Sequence, residues 1–163
     1  MSIVIFLRPV RSGKTTELMQ WCDQISAKKN VGGILMPDVD GNRKLFDIST
    51  KEWFDIECED PATTTRSLIA VGKFNFYTDA FEKANTILLQ AASKSDLLII
   101  DEVGKLELEG KGFYESIREI LENDEYKNSF KSVLLVVRDE LYEPVLSFFE
   151  ITQHRLITNI NDI

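Results

Sequence analysis

The chain has 163 residues, of which 44% are hydrophobic and 28% are charged, with a net charge of −8 and a pI near 4.8. That length predicts one domain, residues 1–163, that can bury a core without disulfide or metal support. The acidic balance, with no basic cluster, gives no signal for nucleic-acid binding, and no run reaches the ~18 apolar residues of a membrane span. The N-terminus lacks the basic start of a signal peptide. We therefore expect a cytoplasmic protein with reduced cysteines and no metal cluster at its single histidine.

Short aliphatic runs alternate with amphipathic segments along the chain. The aliphatic runs predict strands at 2–7, 31–36, 67–71, 96–101, 132–137 and 155–158, and helical spacing predicts helices at 14–28, 79–92, 112–122 and 139–149. The turn signal Asp40-Gly41-Asn42 and the alternating stretch behind it predict a β-hairpin. An unbroken aliphatic run such as 96–101 is typical of a parallel strand covered on both faces. The sequence thus predicts a three-layer α/β/α domain with a mostly parallel sheet and a β-rich hairpin insertion at 37–77.

The segment LRPVRSGKTT, residues 7–16, joins the first predicted strand to the first predicted helix and matches most of a phosphate-binding loop. In such loops backbone N–H groups at the helix start bind phosphate oxygens. The lysine reaches the β- and γ-phosphates, and the hydroxyl after it binds Mg²⁺. We therefore predict Thr15 as a metal ligand and Lys14 as a catalytic residue. The predicted nucleotide-binding residues are Arg8, Pro9, Val10, Arg11, Ser12, Gly13, Lys14, Thr15 and Thr16.

Arg8 stands where the loop pattern has its first glycine. Glycine there allows backbone angles that are costly for other residues. The guanidinium of arginine is nevertheless cationic and can lie against a phosphate, and Pro9 restricts Arg8 to the extended angles of a strand end. Two alternatives stay open: a working loop with a phosphate-facing arginine, or a loop retained for its fold.

An acid pair, Asp101 and Glu102, ends the aliphatic run LLIID. In phosphate-loop proteins an acid at this place holds Mg²⁺, and a carboxylate beside it can orient or deprotonate an attacking water. We predict Asp101 as a metal ligand and Glu102 as the catalytic base, against the alternative of a solvated strand end. Lys105, beyond Gly104, is predicted to neutralise charge on the γ-phosphate, against the alternative of a surface lysine.

Three arginines and an aromatic cluster are further candidates. Arg43, Arg66 and Arg138 could each act as a cationic sensor. Arg138 directly follows a buried strand and should lie at the same sheet edge as the loop. The cluster Phe74, Phe76 and Tyr77 could stack on a base, although core packing is favoured for at least two of them.

Four segments resemble a family of small P-loop nucleoside-triphosphatases that was described from thermophiles and has a human member called cancer-related. They are RSGKTT, GGILMPDVDGNRKLFDIST, VGKFNF and DLLIIDEVGKLEL. The resemblance implies a RecA-like fold and Mg²⁺-dependent hydrolysis of nucleoside triphosphates with broad base preference. It also supports Asp101 for Mg²⁺ and Glu102 for water activation. Arg8, Asn75 and the tail TNINDI depart from the family's pattern.

Three functions remain open on the sequence. The first is hydrolysis of ATP, GTP and other nucleoside triphosphates to the diphosphate and phosphate. The second is a small-molecule or nucleotide kinase, which would need an acceptor pocket and for which no arginine-rich lid is found. The third is a nucleotide-binding module in which Arg8 has abolished hydrolysis. The sequence gives no membrane signal and leaves any protein partner open.

Overall fold

The architecture comes from a computed structural model that describes residues 1–8, 14–129 and 132–163, apart from the side chains of residues 8, 14 and 129. Within these residues eight strands form one sheet and two more form a separate hairpin. The strands are β1 (Ser2–Arg8), β2 (Val31–Leu35), β3 (Asp38–Val39), β4 (Asn42–Asp47), β5 (Trp53–Asp55), β6 (Leu68–Val71), β7 (Phe74–Tyr77), β8 (Leu97–Val103), β9 (Ser132–Arg138) and β10 (Arg155–Ile157). The α-helices are α1 (Lys14–Ile25), α2 (Thr78–Ala92), α3 (Lys105–Leu108), α4 (Tyr114–Glu122), α5 (Asp124–Ser129) and α6 (Tyr142–Phe148), with 3₁₀ turns at Asp139–Leu141 and Ile160–Asp162.

The sheet is parallel across its centre. Its order is β10-β1-β9-β8-β2-β4-β3, with β5 paired to β4. The neighbours from β10 to β2 run parallel, whereas β4 runs antiparallel to β2. Because parallel strands end at the same edge, the residues that follow β1, β8 and β9 meet there. This confirms the mostly parallel α/β fold.

Two buried clusters cover the two faces of the sheet. One cluster joins α1 to the sheet and includes Ile99, and we call its side the α1 face. The other joins α2 and α4 to the sheet and includes Ile100, and we call its side the α2 face. Leu97 to Ile100 are at most 1% exposed, so β8 is covered on both sides as its aliphatic run predicts. No helix in the described ranges is long and apolar enough to cross a bilayer.

The insertion is a pair of hairpins. Asp40 and Gly41 both have positive φ, 54° and 89°, as a tight two-residue turn between β3 and β4 requires. This confirms the predicted turn, although β4 spans Asn42–Asp47 and is followed by β5. The predicted strand at 67–71 pairs with β7 around a turn at Gly72, whose φ is 58°.

Several predicted helix bounds were wrong. The first helix ends at Ile25 and not at residue 28, and the third begins at Tyr114 and not at residue 112. The segment 139–149 is a 3₁₀ turn followed by α6. Pro144 lies in the first turn of α6, where its missing N–H removes no helical hydrogen bond. The sequence did not predict α3 and α5, which have four and six residues and are too short for a periodic pattern.

Gly33 of β2 packs directly on the backbone of β8, and the variant Gly33→Ala tests this contact. Its φ is +114°, and a Cβ built on it would overlap the carbonyl oxygen of Ile99. An alanine must therefore push β2 away from β8 and strain its own backbone. We expect a loss of roughly 2–5 kcal/mol in the free energy of unfolding, measured by urea denaturation. Gly41→Ala is the control, since its φ is +89° but no atom lies within 4 Å of the added Cβ. Equal losses in the two variants would contradict the close contact.

Candidate active site

Asp101 is the buried centre of the candidate site, at the carboxyl end of β8. Its side chain is fully buried. Its Oδ2 accepts hydrogen bonds from Thr15 Oγ1 at 2.9 Å and from the backbone N–H of Met36 at 3.1 Å. Its Oδ1 accepts from the backbone N–H of Glu102 at 2.9 Å. Burial, followed by the charge of Glu102, raises the pKa of Asp101 to about 6, against the effect of these hydrogen bonds. The structure thus brings together the two residues predicted to bind metal.

The pair Thr15 and Asp101 offers a hydroxyl and a carboxylate oxygen, the hard donors that Mg²⁺ prefers. Mg²⁺ is usually held by one or two protein ligands together with water and substrate phosphates. A half-buried hydroxyl bonded to a buried carboxylate therefore fits this ion. Elsewhere in the described part of the chain, no group of three or more His, Cys, Asp or Glu side chains is arranged to hold a metal.

Glu102 has an unusual backbone and two cationic partners. Its φ is +58°, at a register irregularity between Ile100 and Val103 of β8. Such backbone strain in a non-glycine residue is concentrated at functional sites. Arg138 donates from Nη2 to Glu102 Oε2 at 3.1 Å, and Arg43 Nη1 lies 3.4 Å from Oε1. The carboxylate is held from both sides while 19% of the side chain stays exposed.

The other predicted cations have different surroundings. Arg66 is paired with Asp79 and stacks on the Tyr77 ring at 3.5 Å, so the structure does not bring it to Glu102. Lys105 begins α3, is exposed, and lines the same cavity as Glu102. Within the described residues Lys105 makes no ion pair, and its role toward a γ-phosphate stays a prediction.

The predicted aromatic cluster is part of the α2-face core. Phe76 is buried, and Phe74 and Tyr77 are partly buried against the same cluster. The sequence favoured core packing for at least two of these three residues. Their contacts in the structure are those of core packing.

Much of the predicted phosphate loop lies outside the described residues. The loop residues that the structure does not describe are Pro9, Val10, Arg11, Ser12 and Gly13, together with the side chains of Arg8 and Lys14. The backbone on either side is described: β1 ends at Arg8 in register with Arg138, and α1 begins at Lys14. Thr16 is exposed on the first turn of α1.

Glu107 is a buried acid whose role the sequence reasoning missed. It is 2% exposed, and its carboxylate accepts from the backbone N–H of Gly104 at 2.7 Å and of Phe113 at 2.9 Å. Burial raises its pKa above the ordinary value, against these hydrogen bonds. The carboxylate ties both ends of the segment 104–113, which carries Lys105, beside Glu102. The sequence signal that could have indicated a buried acid here is a glutamate between two leucines, in the segment KLEL.

Removing the carboxylate of Glu107 tests this role. Glu107→Ala leaves the buried N–H of Phe113 and the partly buried N–H of Gly104 unpaired, so we expect a loss of roughly 2–4 kcal/mol in the free energy of unfolding, measured by urea denaturation. Glu107→Gln keeps one acceptor oxygen and should lose less. Glu109→Ala is the control, because Glu109 is exposed and its one ion pair among the described residues is with Lys111 in the same turn. A Glu107→Ala variant as stable as this control would show that the two hydrogen bonds do not hold the segment.

The fold and the site together define a class of protein. Helices cover both faces of a mostly parallel sheet, and a threonine at the start of α1 bonds to Asp101 near the carboxyl end of β8, with β9 between β1 and β8. This is the arrangement of P-loop nucleoside-triphosphatase domains. A family model described as NTPase matches residues 5–161. The chain therefore belongs to this nucleoside-triphosphatase family, as the resemblance predicted.

Curated relatives carry the same description. Nucleoside-triphosphatase THEP1 of Methanosarcina acetivorans is 26% identical over 149 residues, which cover 84% of this chain and 76% of the relative. The THEP1 protein of Korarchaeum cryptofilum is 34% identical over 128 residues, covering 74% and 63% of the two chains. That of Methanopyrus kandleri is 28% identical over 116 residues, covering 65% and 59%. In the last two cases the match spans less than two thirds of the relative's length.

Two solved structures share the fold. The solution structure of a human cancer-related nucleoside triphosphatase superposes with a TM-score of 0.66 at 20% identity, covering 99% of this chain and 91% of that one. The crystal structure of THEP1 from Aquifex aeolicus gives a TM-score of 0.67 at 21% identity, covering 96% and 88%. These similarities confirm the predicted fold class.

Proposed function

We propose that this chain is an Mg²⁺-dependent nucleoside-triphosphatase that hydrolyses ATP, GTP and other nucleoside triphosphates to the diphosphate and phosphate. The observation that carries the proposal is the hydrogen bond from Thr15 Oγ1 to Asp101 Oδ2, with Glu102 next in the chain at the same sheet edge. The names of the relatives, all nucleoside-triphosphatases, support the same reaction.

The substrate would lie across this sheet edge. The backbone N–H groups of residues 10–15 would bind the β-phosphate, and Lys14 would reach the β- and γ-phosphates. Thr15 Oγ1 and Asp101 Oδ2 would hold Mg²⁺, which when bound neutralises charge on the phosphate oxygens. Lys105 would add positive charge near the γ-phosphate.

Glu102 would orient the attacking water and take its proton. Each carboxylate oxygen has two lone pairs, so it can accept from an arginine and from water at once. Arg43 and Arg138 therefore fix the carboxylate without blocking it. The same two guanidinium groups lie beside Glu102. They would stabilise the negative charge that develops near Glu102 while the γ-phosphoryl group is transferred.

Removing the metal tests the proposal. We expect phosphate release from both ATP and GTP with Mg²⁺ present, and a loss of at least about 100-fold with excess EDTA, because the phosphate charge is then uncompensated. Phosphate release is measured by a coupled optical assay, and nucleotide binding is measured in parallel by titration calorimetry. Binding without release would make the chain a binding module, and absence of both would show that the loop is retained only for its fold.

Arg8→Gly is the matched variant for the missing glycine. If Arg8 is tolerated in a working loop, restoring glycine leaves the rate of phosphate release within a few-fold of the wild type. If hydrolysis appears only in Arg8→Gly, the arginine has abolished it and the wild-type chain is not a hydrolase.

A further inference from the structure

The segment 104–113 carries Lys105 on a backbone that has little stiffness of its own. It contains Gly104, Gly110 and Gly112, and the last two have φ of +71° and +63°. Glycine loses more conformational freedom on folding than any other residue, so the segment is costly to order. Its helix, α3, has only four residues. A lysine on such a segment has a fixed position only if other groups of the protein hold the backbone.

The carboxylate of Glu107 holds both ends of this backbone. Its Oε2 accepts from the N–H of Gly104 at 2.7 Å, and its Oε1 accepts from the N–H of Phe113 at 2.9 Å. Both oxygens are therefore used, each at a different end of the segment. A Cβ added to Gly112 would overlap Oε1, so the backbone closes around the carboxylate. A glutamine cannot replace this acid fully, because its NH₂ group would face one of the two N–H donors.

The charge of Lys105 stays available although two acids lie close to it in the chain. Glu107 is 2% exposed and bonded to the backbone, and residues two apart on a helix do not face each other. Glu102, which lines the same cavity as Lys105, is paired with Arg43 and Arg138. Within the described residues Lys105 is exposed and makes no ion pair. An anionic group of a ligand can therefore bind it without displacing a carboxylate.

We propose that Glu107 is a positioning residue that sets the preference of the nucleotide site for triphosphates over diphosphates. By fixing both ends of the segment 104–113, it holds Lys105 where its ammonium group meets the γ-phosphate, which a diphosphate lacks. Preorganised charge of this kind is lost when its support is loosened, even if the charged residue itself is kept. The inference rests on the nucleotide site proposed above but not on hydrolysis, because a γ-phosphate can be bound without being cleaved.

The test compares the binding of ADP with that of the non-hydrolysable ATP analogue AMP-PNP, both with Mg²⁺, by titration calorimetry on the full chain. The ratio of the two Kd values reports the contribution of the γ-phosphate. In the wild type we expect AMP-PNP to bind at least about tenfold more tightly than ADP. In Lys105→Ala and in Glu107→Gln this ratio should fall by about threefold to tenfold, while the Kd for ADP changes by less than about twofold. Circular dichroism at the assay temperature checks that each variant is folded.

The double variant of Lys105→Ala with Glu107→Gln separates positioning from a purely structural role. If Glu107 acts through Lys105, its substitution has no further effect once the lysine is gone, so the double variant should match Lys105→Ala within about twofold. A general loosening of the fold would weaken ADP and AMP-PNP together and leave their ratio unchanged. Glu109→Gln, an exposed acid of the same segment, is the matched control and should bind both nucleotides as the wild type does. If Glu107→Gln does not fold, Glu107→Asp replaces it, since aspartate is too short to reach both N–H groups.

Three results would overturn the proposal: equal Kd values for ADP and AMP-PNP in the wild type, an unchanged ratio in Glu107→Gln, or a further fall of the ratio in the double variant as large as that in Glu107→Gln alone. The last result would mean that Glu107 acts independently of Lys105. A wild type that shows the expected ratio but releases no phosphate from ATP would refute the hydrolase proposal and leave this one intact. A wild type that binds neither nucleotide would refute both.

Discussion

Glu102→Gln is expected to slow phosphate release from ATP and GTP by roughly 10²–10⁴-fold, the range for loss of a positioned general base. Glutamine keeps the size of the side chain and one oxygen that can accept from an arginine, but it cannot take a proton from water. Since the predicted phosphate contacts come from the loop and from α1, nucleotide affinity should stay within a few-fold. Single-turnover phosphate release and binding of a non-hydrolysable ATP analogue measure the two effects separately.

The ion pairs of Glu102 require a second variant. Glu102→Gln weakens its contacts to Arg43 and Arg138 as well as removing the base. Arg138→Gln removes one of these contacts and leaves the carboxylate in place, so it should cost less activity than Glu102→Gln. If both variants lose the same activity, Glu102 serves to hold the arginine and is not the base. Glu109→Gln, an exposed acid in the same segment, is the control for a change of charge alone. Near wild-type release by Glu102→Gln would place water activation elsewhere.

The sequence was informative where a local pattern is tied to burial. The aliphatic run of β8 predicted a strand covered on both faces, and its terminal acids predicted the edge at which Thr15 and Asp101 meet. The first inference holds because a parallel strand covered on both faces is aliphatic throughout. The second holds because parallel strands end at the same edge and only a few residues separate β1 from α1 in the sequence. The turn at Asp40-Gly41 was likewise readable, because two consecutive residues with positive φ restrict the sequence strongly.

Contacts between distant segments could not be read from local patterns. Arg43 reaches Glu102 from the insertion, and only the packing of β4 beside β2 brings it there. The motif around Glu107 was recognised, but its hydrogen bonds to Gly104 and Phe113 depend on how the segment folds back. The cavity beside Glu102 likewise is lined by segments that are far apart in the chain, from Met36 to Leu141. Arg66 was also a candidate on the sequence, and the structure pairs it with Asp79 instead of Glu102.

Asp101→Asn is expected to lower the Mg²⁺-dependent rate of phosphate release by at least about 100-fold while changing stability little. An amide has no negative charge for the ion, so transition-state stabilisation of several kcal/mol is lost. The stability expectation has a separate cause. The pKa of Asp101, raised by burial from 3.8 to about 6, corresponds to roughly 3 kcal/mol against its charged form. Asparagine removes that cost, and in exchange one of the three hydrogen bonds is lost.

Thermal unfolding separates the two roles of Asp101. In EDTA, Asp101→Asn should have a Tm within a few degrees of the wild type, because its oxygen can still accept from Met36 N–H and from Thr15 Oγ1. Asp101→Ala is the comparison, since it leaves the buried N–H of Met36 without an acceptor and should unfold at a clearly lower temperature.

Addition of Mg²⁺ and ADP should then raise the Tm of the wild type more than that of Asp101→Asn, because ligand binding to the folded state stabilises it in proportion to affinity. Equal shifts in both proteins would mean that Asp101 does not hold the metal. If Asp101→Asn instead unfolds as early as Asp101→Ala in EDTA, the negative charge itself is needed to hold Thr15 and Met36 together. The carboxylate would then be a structural anchor at the end of β8, and its effect on hydrolysis would be indirect.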